Sequence, residues 1–259
     1  DPSSALLLSC SGGGSRAALY ATSILHGLWS AKRLDDLVLV SGVSGGAASL
    51  SYFSAHLPEL RKQASDADWV AYEGTMASPF IEEVLANVWD WRLLLNERLG
   101  HLLKASFDRH FYSRGGHARR KLRDVKEMGV IINASIAGHE DLVSGASGTR
   151  LAGGIFSFTN LRLPGFPARG LRQIPGEYLK FIAAGDPTVE LTTAGAVSAN
   201  FPPVFPNAAV DLDGATRYWL TDGGAVENRG LLALLYALRG ALQEEMTMRS
   251  NLRDTPGAV

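Results

Sequence analysis

Cysteine is almost missing from this chain. With one in 259 residues, Cys10, there can be no internal disulfide framework and no cysteine-rich metal site. No apolar run reaches the roughly 20 residues needed to span a bilayer. Neither sign of charge is in surplus: 25 Lys and Arg stand against 26 Asp and Glu. That removes the usual grounds for expecting a nucleic-acid surface or strong attraction to anionic lipid. His, Cys, Asp and Glu nowhere cluster at ligand spacing, so no metal and no other cofactor is expected, and His56 and His101 read as helix-surface or packed residues. Internal repeats and low-complexity linkers are also lacking. What remains is ordinary globular composition, 46% hydrophobic and 20% charged, at a length that suits one large α/β domain or two small ones. Leu7-Leu8-Ser9-Cys10 looks like a lipoprotein cleavage box, but no basic segment precedes it and the apolar stretch is short. A buried first strand is expected instead. The chain starts almost on that strand and ends in a polar tail, which suggests a piece of something longer.

The stretch that carries most information is Leu37-Val38-Leu39-Val40-Ser41-Gly42-Val43-Ser44-Gly45-Gly46-Ala47-Ala48. Four apolar residues predict a buried strand; the small residues after it predict a helix. Gly42 and Gly46 flank Ser44 in a G-x-S-x-G pattern, where they let the backbone turn sharply and strand and helix approach closely. A serine at such a tip presents its hydroxyl beside a helix N-terminus, a favourable field for an anion. By itself the pattern is equally a glycine-rich turn with a surface serine.

Upstream, Ala5–Ser9, the loop Ser11-Gly12-Gly13-Gly14-Ser15-Arg16 and the helical spacing of Ala17–Trp29 predict strand, glycine loop and helix. Joined to Leu37–Val40, they begin a parallel α/β sheet. From Ser65 to Gly116 the pattern is helical and irregular. Phe80, Ile81, Val84, Leu85, Val88, Leu95, Leu99, Leu102 and Leu103 form an amphipathic face, with Trp69, Trp89 and Trp91 nearby. This face either packs on the sheet or serves as a lid meeting a lipid interface. The Arg- and Lys-rich stretch 109–126 (Arg114, Arg119, Arg120, Lys121, Arg123) reads as a solvated face, with phosphate-headgroup contact as the alternative. Val130–Ala137 predicts a central strand with His139 just past its end, and Gly153–Phe158 another. Leu191–Ala199 predicts a small-residue helix, Trp219–Thr221 a short strand running into Asp222-Gly223-Gly224, and Gly230–Leu238 the start of a helix.

Acyl transfer needs a nucleophile, a base and donors for the oxyanion of the tetrahedral intermediate. Ser44 is the candidate nucleophile. Gly12, Gly13 and Gly14 are candidate donors, because N–H groups without side chains can approach a reacting oxygen. Asp222 ends a strand at a sheet edge with room beside it. No histidine sits in a comparable turn, and a carboxylate acting directly on the serine suffices if burial raises its proton affinity.

The three short motifs, Ser11–Arg16, Gly42–Gly46 and Asp222–Gly224, resemble those of patatin-like phospholipases and, in order and context, the related cytosolic phospholipase A2 domains. Ala196-Val197-Ser198-Ala199-Asn200-Phe201-Pro202-Pro203-Val204-Phe205 is similar to the small-residue helix and proline turn before that family's aspartate. The resemblance covers about Leu6 to Asn228, and the stretch near 60–125 matches nothing recognisable. It implies a three-layer α/β/α fold with a mostly parallel central sheet, as a single domain over 1–259 with a mostly helical insertion at about 60–125. It implies Ser44 as nucleophile, Asp222 as base and Gly12, Gly13 and Gly14 as the oxyanion loop. Arg16 matches the family's arginine, either ordering that loop or touching substrate; Gly42, Gly46, Gly223 and Gly224 support the turns. One departure is visible: Glu227-Asn228-Arg229-Gly230 stands where the family commonly has Asn-Asn-Pro, which bears on substrate preference.

The expected activity is therefore hydrolysis of a lipid carboxylic ester through an acyl-enzyme, with a lipid as partner and transient membrane contact, in the cytoplasm or at a membrane surface. Three other readings compete. Gly12-x-Gly14-x-x-Ala17 fits a dinucleotide fingerprint, but Asp35 and Asp36 precede the next strand instead of ending it. An α/β-hydrolase triad would use Ser44, an acid between Asp66 and Asp124, and His139. A lipid-binding scaffold without catalysis would keep the fold alone.

Overall fold

The computed structural model describes residues 5–62, 64–87, 102–112, 119–148, 152–162, 170–173, 181–184, 188–202, 204–212 and 214–253. β1 (Leu6–Cys10), α1 (Gly14–Ser30) and β2 (Leu37–Val43) form the expected strand, glycine loop, helix and strand, and β2 passes straight into α2 (Ser44–Ala55). Sequence spacing places a sharp turn between strand and helix with Ser44 at its tip, and the structure has the turn there. The reversal is concentrated in one residue, Ser44, whose φ is +51°.

Helices α3 (Leu57–Lys62), α4 (Asp66–Met76), α5 (Phe80–Asn87) and α6 (Leu102–Phe111) follow before the long strand β3 (Gly129–Asp141). Val88, Trp89, Trp91, Leu95, Leu99, His101 and Arg114 lie outside the described residues. Basic side chains in the 109–126 stretch reach solvent and meet acids: Arg109 with Glu83 at 3.5 Å, Arg119 with Asp108 at 3.4 Å and Arg123 with Asp124 at 3.8 Å. Arg120 turns inward, donating to the carbonyls of Ser54 and Asp124 at 2.9 and 2.8 Å.

After β3 come β4 (Ser147–Gly148), β5 (Ile155–Thr159), β6 (Gly170–Gln173), β7 (Phe181–Ala184), α7 (Leu191–Ser198), β8 (Ala208–Leu212), β9 (Thr216–Thr221) and α8 (Leu231–Arg253). The sheet path is β1-β2-β3-β5-β7-β6, with β4 and β9 also on β3 and β8 on β9. It is mixed. β1, β2 and β3, which carry the first two motifs, run parallel, as does β5 with β7. The pairings of β3 with β4, β5 and β9, of β6 with β7 and of β8 with β9 are antiparallel. The expected parallel sheet thus holds across the strands that bear the serine and glycine loops. Local patterning predicts strands but leaves their direction open once connections grow long.

Alternation along the strands sorts two cores, since successive side chains face opposite sides. Val40, Val130, Ile132, Ala134 and Ile136 face one side, with Ala18 and Leu25 of α1, Leu50 and Phe53 of α2, and Ala194 and Val197 of α7. Leu39, Ile131 and Ile155 face the other, under Ala233, Leu234 and Ala237 of α8. Helices therefore cover both faces, giving three layers. The small residues of α2 are buried almost throughout, because α1 and α7 crowd it from either side.

Candidate active site

Register along β3 sets up the site. Val43, the last residue of β2, pairs with Asn133. Thr221, the last residue of β9, pairs with Ser135. β5 occupies the other edge of β3 at this level, so β2 and β9 lie end to end along one edge and run toward each other. The residue after each strand is Ser44 in one case and Asp222 in the other. Two strand ends meeting head to head, about 7 Å apart along β3, bring together side chains 178 positions apart. Asp222 is accordingly at the end of a strand paired on both sides, by β3 and β8, and not at the sheet edge that its sequence context suggested.

Ser44 Oγ donates to Asp222 Oδ2 at 2.6 Å. The other carboxylate oxygen accepts the Gly224 amide at 2.7 Å, and the Gly223 carbonyl is held by Ser135 Oγ at 3.0 Å. Asp222 is only 6% exposed. Burial pushes its carboxyl above the ordinary carboxylate value, opposed by the Ser44 hydroxyl and the Gly224 amide. A left-handed non-glycine residue costs about 1–2 kcal/mol, so Ser44 is held in place by its surroundings. Its amide donates to Ser198 Oγ at 2.9 Å.

Gly42 and Gly46 keep their expected role of close approach. A Cβ on Gly46 would sit 2.6 Å from the Cys10 carbonyl oxygen, and one on Gly45 would sit 2.0 Å from that of Gly14. The glycine loop therefore lies directly against the first turn of α2. Gly12 is a correction. Its N–H donates to the Asn228 carbonyl at 2.9 Å, so it is not free for an oxyanion; it anchors the loop. Gly13 and Gly14 remain, at the first turn of α1, where helix N–H groups have no intrahelical acceptor.

Ser44, Asp222, Gly13, Gly14 and Arg16 all line one cavity of about 660 Å³. Gly45, Gly224, Asn228 and Glu82 line it too, and its apolar lining includes Met76, Phe80, Leu103, Phe107 and Phe201. Phe80 and Leu103 are the ends of the amphipathic stretch whose two readings are packing on the sheet and a lid at a lipid interface. Arg16 is exposed, and among the described residues it has no ion pair.

Sequence reasoning missed three contributors. Asn228 closes on the glycine loop through its carbonyl and lines the cavity; the retained Asn after the aspartate motif was the available signal. Ser198 and Asn133 reach the nucleophile only through contacts between distant residues; Ser198 lies in the small-residue helix the sequence singles out, but nothing local gives its role, and no local pattern marks Asn133. The triad's candidate histidine is not brought in. β3 continues through His139 to Asp141, so His139 pairs with Tyr218 and Gly148. It stands six residues beyond Asn133, about 20 Å along the strand. Cys10 is buried and its thiol is pushed up to about 12, which keeps it protonated and inert.

A hydroxyl bonded to a buried carboxylate, beside the glycine amides at two helix N-termini and a cavity with apolar lining, has the elements of a serine acyl-transfer site. The sequence agrees in family. The patatin-like phospholipase model matches residues 8–235, and the chain belongs to that family. No curated protein matches it. Among solved structures, human GIVD cytosolic phospholipase A2 aligns at 14% identity and a TM-score of 0.42, over 76% of this chain and 28% of that one. Its complex with methyl gamma-linolenyl fluorophosphonate and terbium chloride aligns with a TM-score of 0.43, also at 14% identity, over 78% of this chain and 30% of that one. VipD from Legionella pneumophila aligns at 13% identity and a TM-score of 0.35, over 86% of this chain and 46% of that one. The chain thus spans less than half the length of each. Among the described residues no helix is long and apolar enough to cross a membrane.

Proposed function

We propose that the chain is a lipid acyl hydrolase of the phospholipase A or lysophospholipase type, working through a Ser44–Asp222 dyad. The observation that supports this best is the 2.6 Å bond from Ser44 Oγ to Asp222 Oδ2 in a cavity also lined by Met76, Phe80, Leu103 and Phe107. Ser44 Oγ attacks the acyl carbonyl carbon as its proton passes to Asp222. Gly13 and Gly14, with the first-turn amide of Gly45, hold the oxyanion. The C–O bond to the alcohol then breaks, Asp222 returns the proton to the leaving oxygen, and an acyl-enzyme remains. Water attacks it, giving one proton to Asp222, and the fatty acid departs as Ser44 regains its hydrogen. Met76, Phe80, Leu103 and Phe107 hold the acyl chain, and Arg16 faces the headgroup side. The single-domain reading, with 60–125 as an insertion, goes with this proposal.

The test is hydrolysis of p-nitrophenyl esters and phospholipid vesicles by wild type, Ser44→Ala, Asp222→Asn and His139→Ala. Loss in the first two variants and full activity in the third is expected. Full activity in Asp222→Asn with loss in His139→Ala restores the triad. Tight lipid binding without hydrolysis by any form makes the chain a scaffold.

A further inference from the structure

We infer that the C-terminal end of α7 is a positioning device for both members of the dyad, with Ser198 as the residue that holds the nucleophile; this rests on the dyad reading above. Ser44, at φ +51° and first in its helix, has an amide with no intrahelical acceptor. Ser198 Oγ takes that amide at 2.9 Å. The amide can only donate, and the Ser198 hydroxyl proton goes to the Asn133 backbone carbonyl at 2.5 Å. Its oxygen is therefore left as an acceptor for Ser44.

Two residues further on, the Asn200 carbonyl takes the amide of Asp222 at 3.1 Å. One helix end thus grips the backbone of the nucleophile at one point and of the base at another, which sets their separation. The grip has a rigid footing. Asn133 is 2% exposed; its side-chain Nδ2 donates to Ser41 Oγ at 3.0 Å and its side-chain Oδ1 accepts from Ser157 Oγ at 2.8 Å. Asn200 is likewise buried and donates to the Pro206 carbonyl at 2.6 Å. Ser198 is fully buried and does not line the cavity, so it acts through Ser44 and not on substrate. Because its bond draws the Ser44 amide inward, that amide is also unavailable to an oxyanion, which assigns that task to neighbouring amides.

The test is Ser198→Ala, read in three ways against wild type: turnover of a soluble p-nitrophenyl ester, the rate of Ser44 labelling by a fluorophosphonate probe, and the pH profile of kcat/KM. Without the acceptor, Ser44 Oγ loses its aim at Asp222. Both kcat and the labelling rate are expected to fall about tenfold to a hundredfold, with KM within threefold. Asp222 also loses a bond that favours its charged form, so the acid limb moves to higher pH. A substitution that only loosens the fold lowers the melting temperature without moving that limb. The other charged side chains lining the cavity, Arg16 and Glu82, are untouched by it. Ser198→Thr, which keeps the hydroxyl, is expected to restore the limb. If Ser198→Ala does not fold, Ser198→Cys, whose sulfur is a weaker acceptor, is expected to shift in the same direction by less. Wild-type labelling rate and an unmoved limb in folded Ser198→Ala, or in Ser198→Cys where it stands in, overturn the inference. An unlabelled wild type overturns the dyad reading itself.

Discussion

Gly45→Ala puts the contact between the glycine loop and the nucleophile helix to a direct test. The added methyl would lie 2.0 Å from the Gly14 carbonyl oxygen and 2.8 Å from its carbon. Ordinary contact begins near 3.4 Å, so loop and helix must part by more than about 1 Å. Neither partner is the free end of a flexible side chain: both are backbone, and α2 is buried between α1 and α7. A displacement of that size at reacting groups costs about a hundredfold in rate, or close to 3 kcal/mol of transition-state stabilisation. The overpacking itself costs about 1–3 kcal/mol of stability. Initial rates on a soluble p-nitrophenyl ester and a thermal melt measure the two effects separately. Gly74→Ala is the control. It lies inside α4 with open space around its would-be Cβ, and is expected to gain about 0.5–1 kcal/mol with unchanged turnover. A folded Gly45→Ala protein with turnover within threefold of wild type would refute the geometry proposed for the oxyanion loop.

Three further outcomes follow from the same structure. The acid limb of kcat/KM on a soluble ester is expected above the ordinary carboxylate range, because burial raises Asp222; a limb near pH 4 contradicts its role as base. The same shift has a stability consequence. The folded state holds the Asp222 proton more tightly than the unfolded chain, so this residue's contribution to stability is greatest in acid. It falls as pH rises from 3.8 through the raised folded value. Asp222→Asn is therefore expected to melt above wild type at pH 7 while losing activity, with the difference closing toward pH 4. Asn133→Ala strips partners from Ser41 and Ser157 and is expected to destabilise by about 2–4 kcal/mol, seen as a lower denaturant midpoint.

The parts of the site legible in the sequence are those whose chemistry is local. A glycine before a helix, a serine between glycines and an aspartate before two glycines each advertise a turn. The head-to-head meeting of β2 and β9 is not local: it follows from which edge of β3 each strand pairs with, information held in long-range register. Ser44 itself illustrates the limit. The glycines around it suggest that they make the turn, yet the serine adopts the left-handed conformation while Gly42 and Gly46 serve packing. Gly12 is the converse case, its N–H used by a carbonyl near the far end of the chain. Sequence patterning puts His139 past the strand because the apolar pattern fades at Ala137, while the ladder continues to Asp141, carried by hydrogen bonds to β9 and β4 and not by buried side chains.

The residues from Asp222 to Gly230 touch the early turns repeatedly: Asp222 takes Ser44, Asn228 takes Gly12, Gly230 takes Ser41 at 2.6 Å, and Arg229 takes Ser9. Synthesis proceeds from the N-terminus, so a nascent polypeptide displays its serine long before the carboxylate or the carbonyls that brace the glycine loop emerge. On the dyad reading, the serine therefore stays without its base, and the glycine loop without its brace, until the Asp222–Gly230 segment has emerged and folded back onto them.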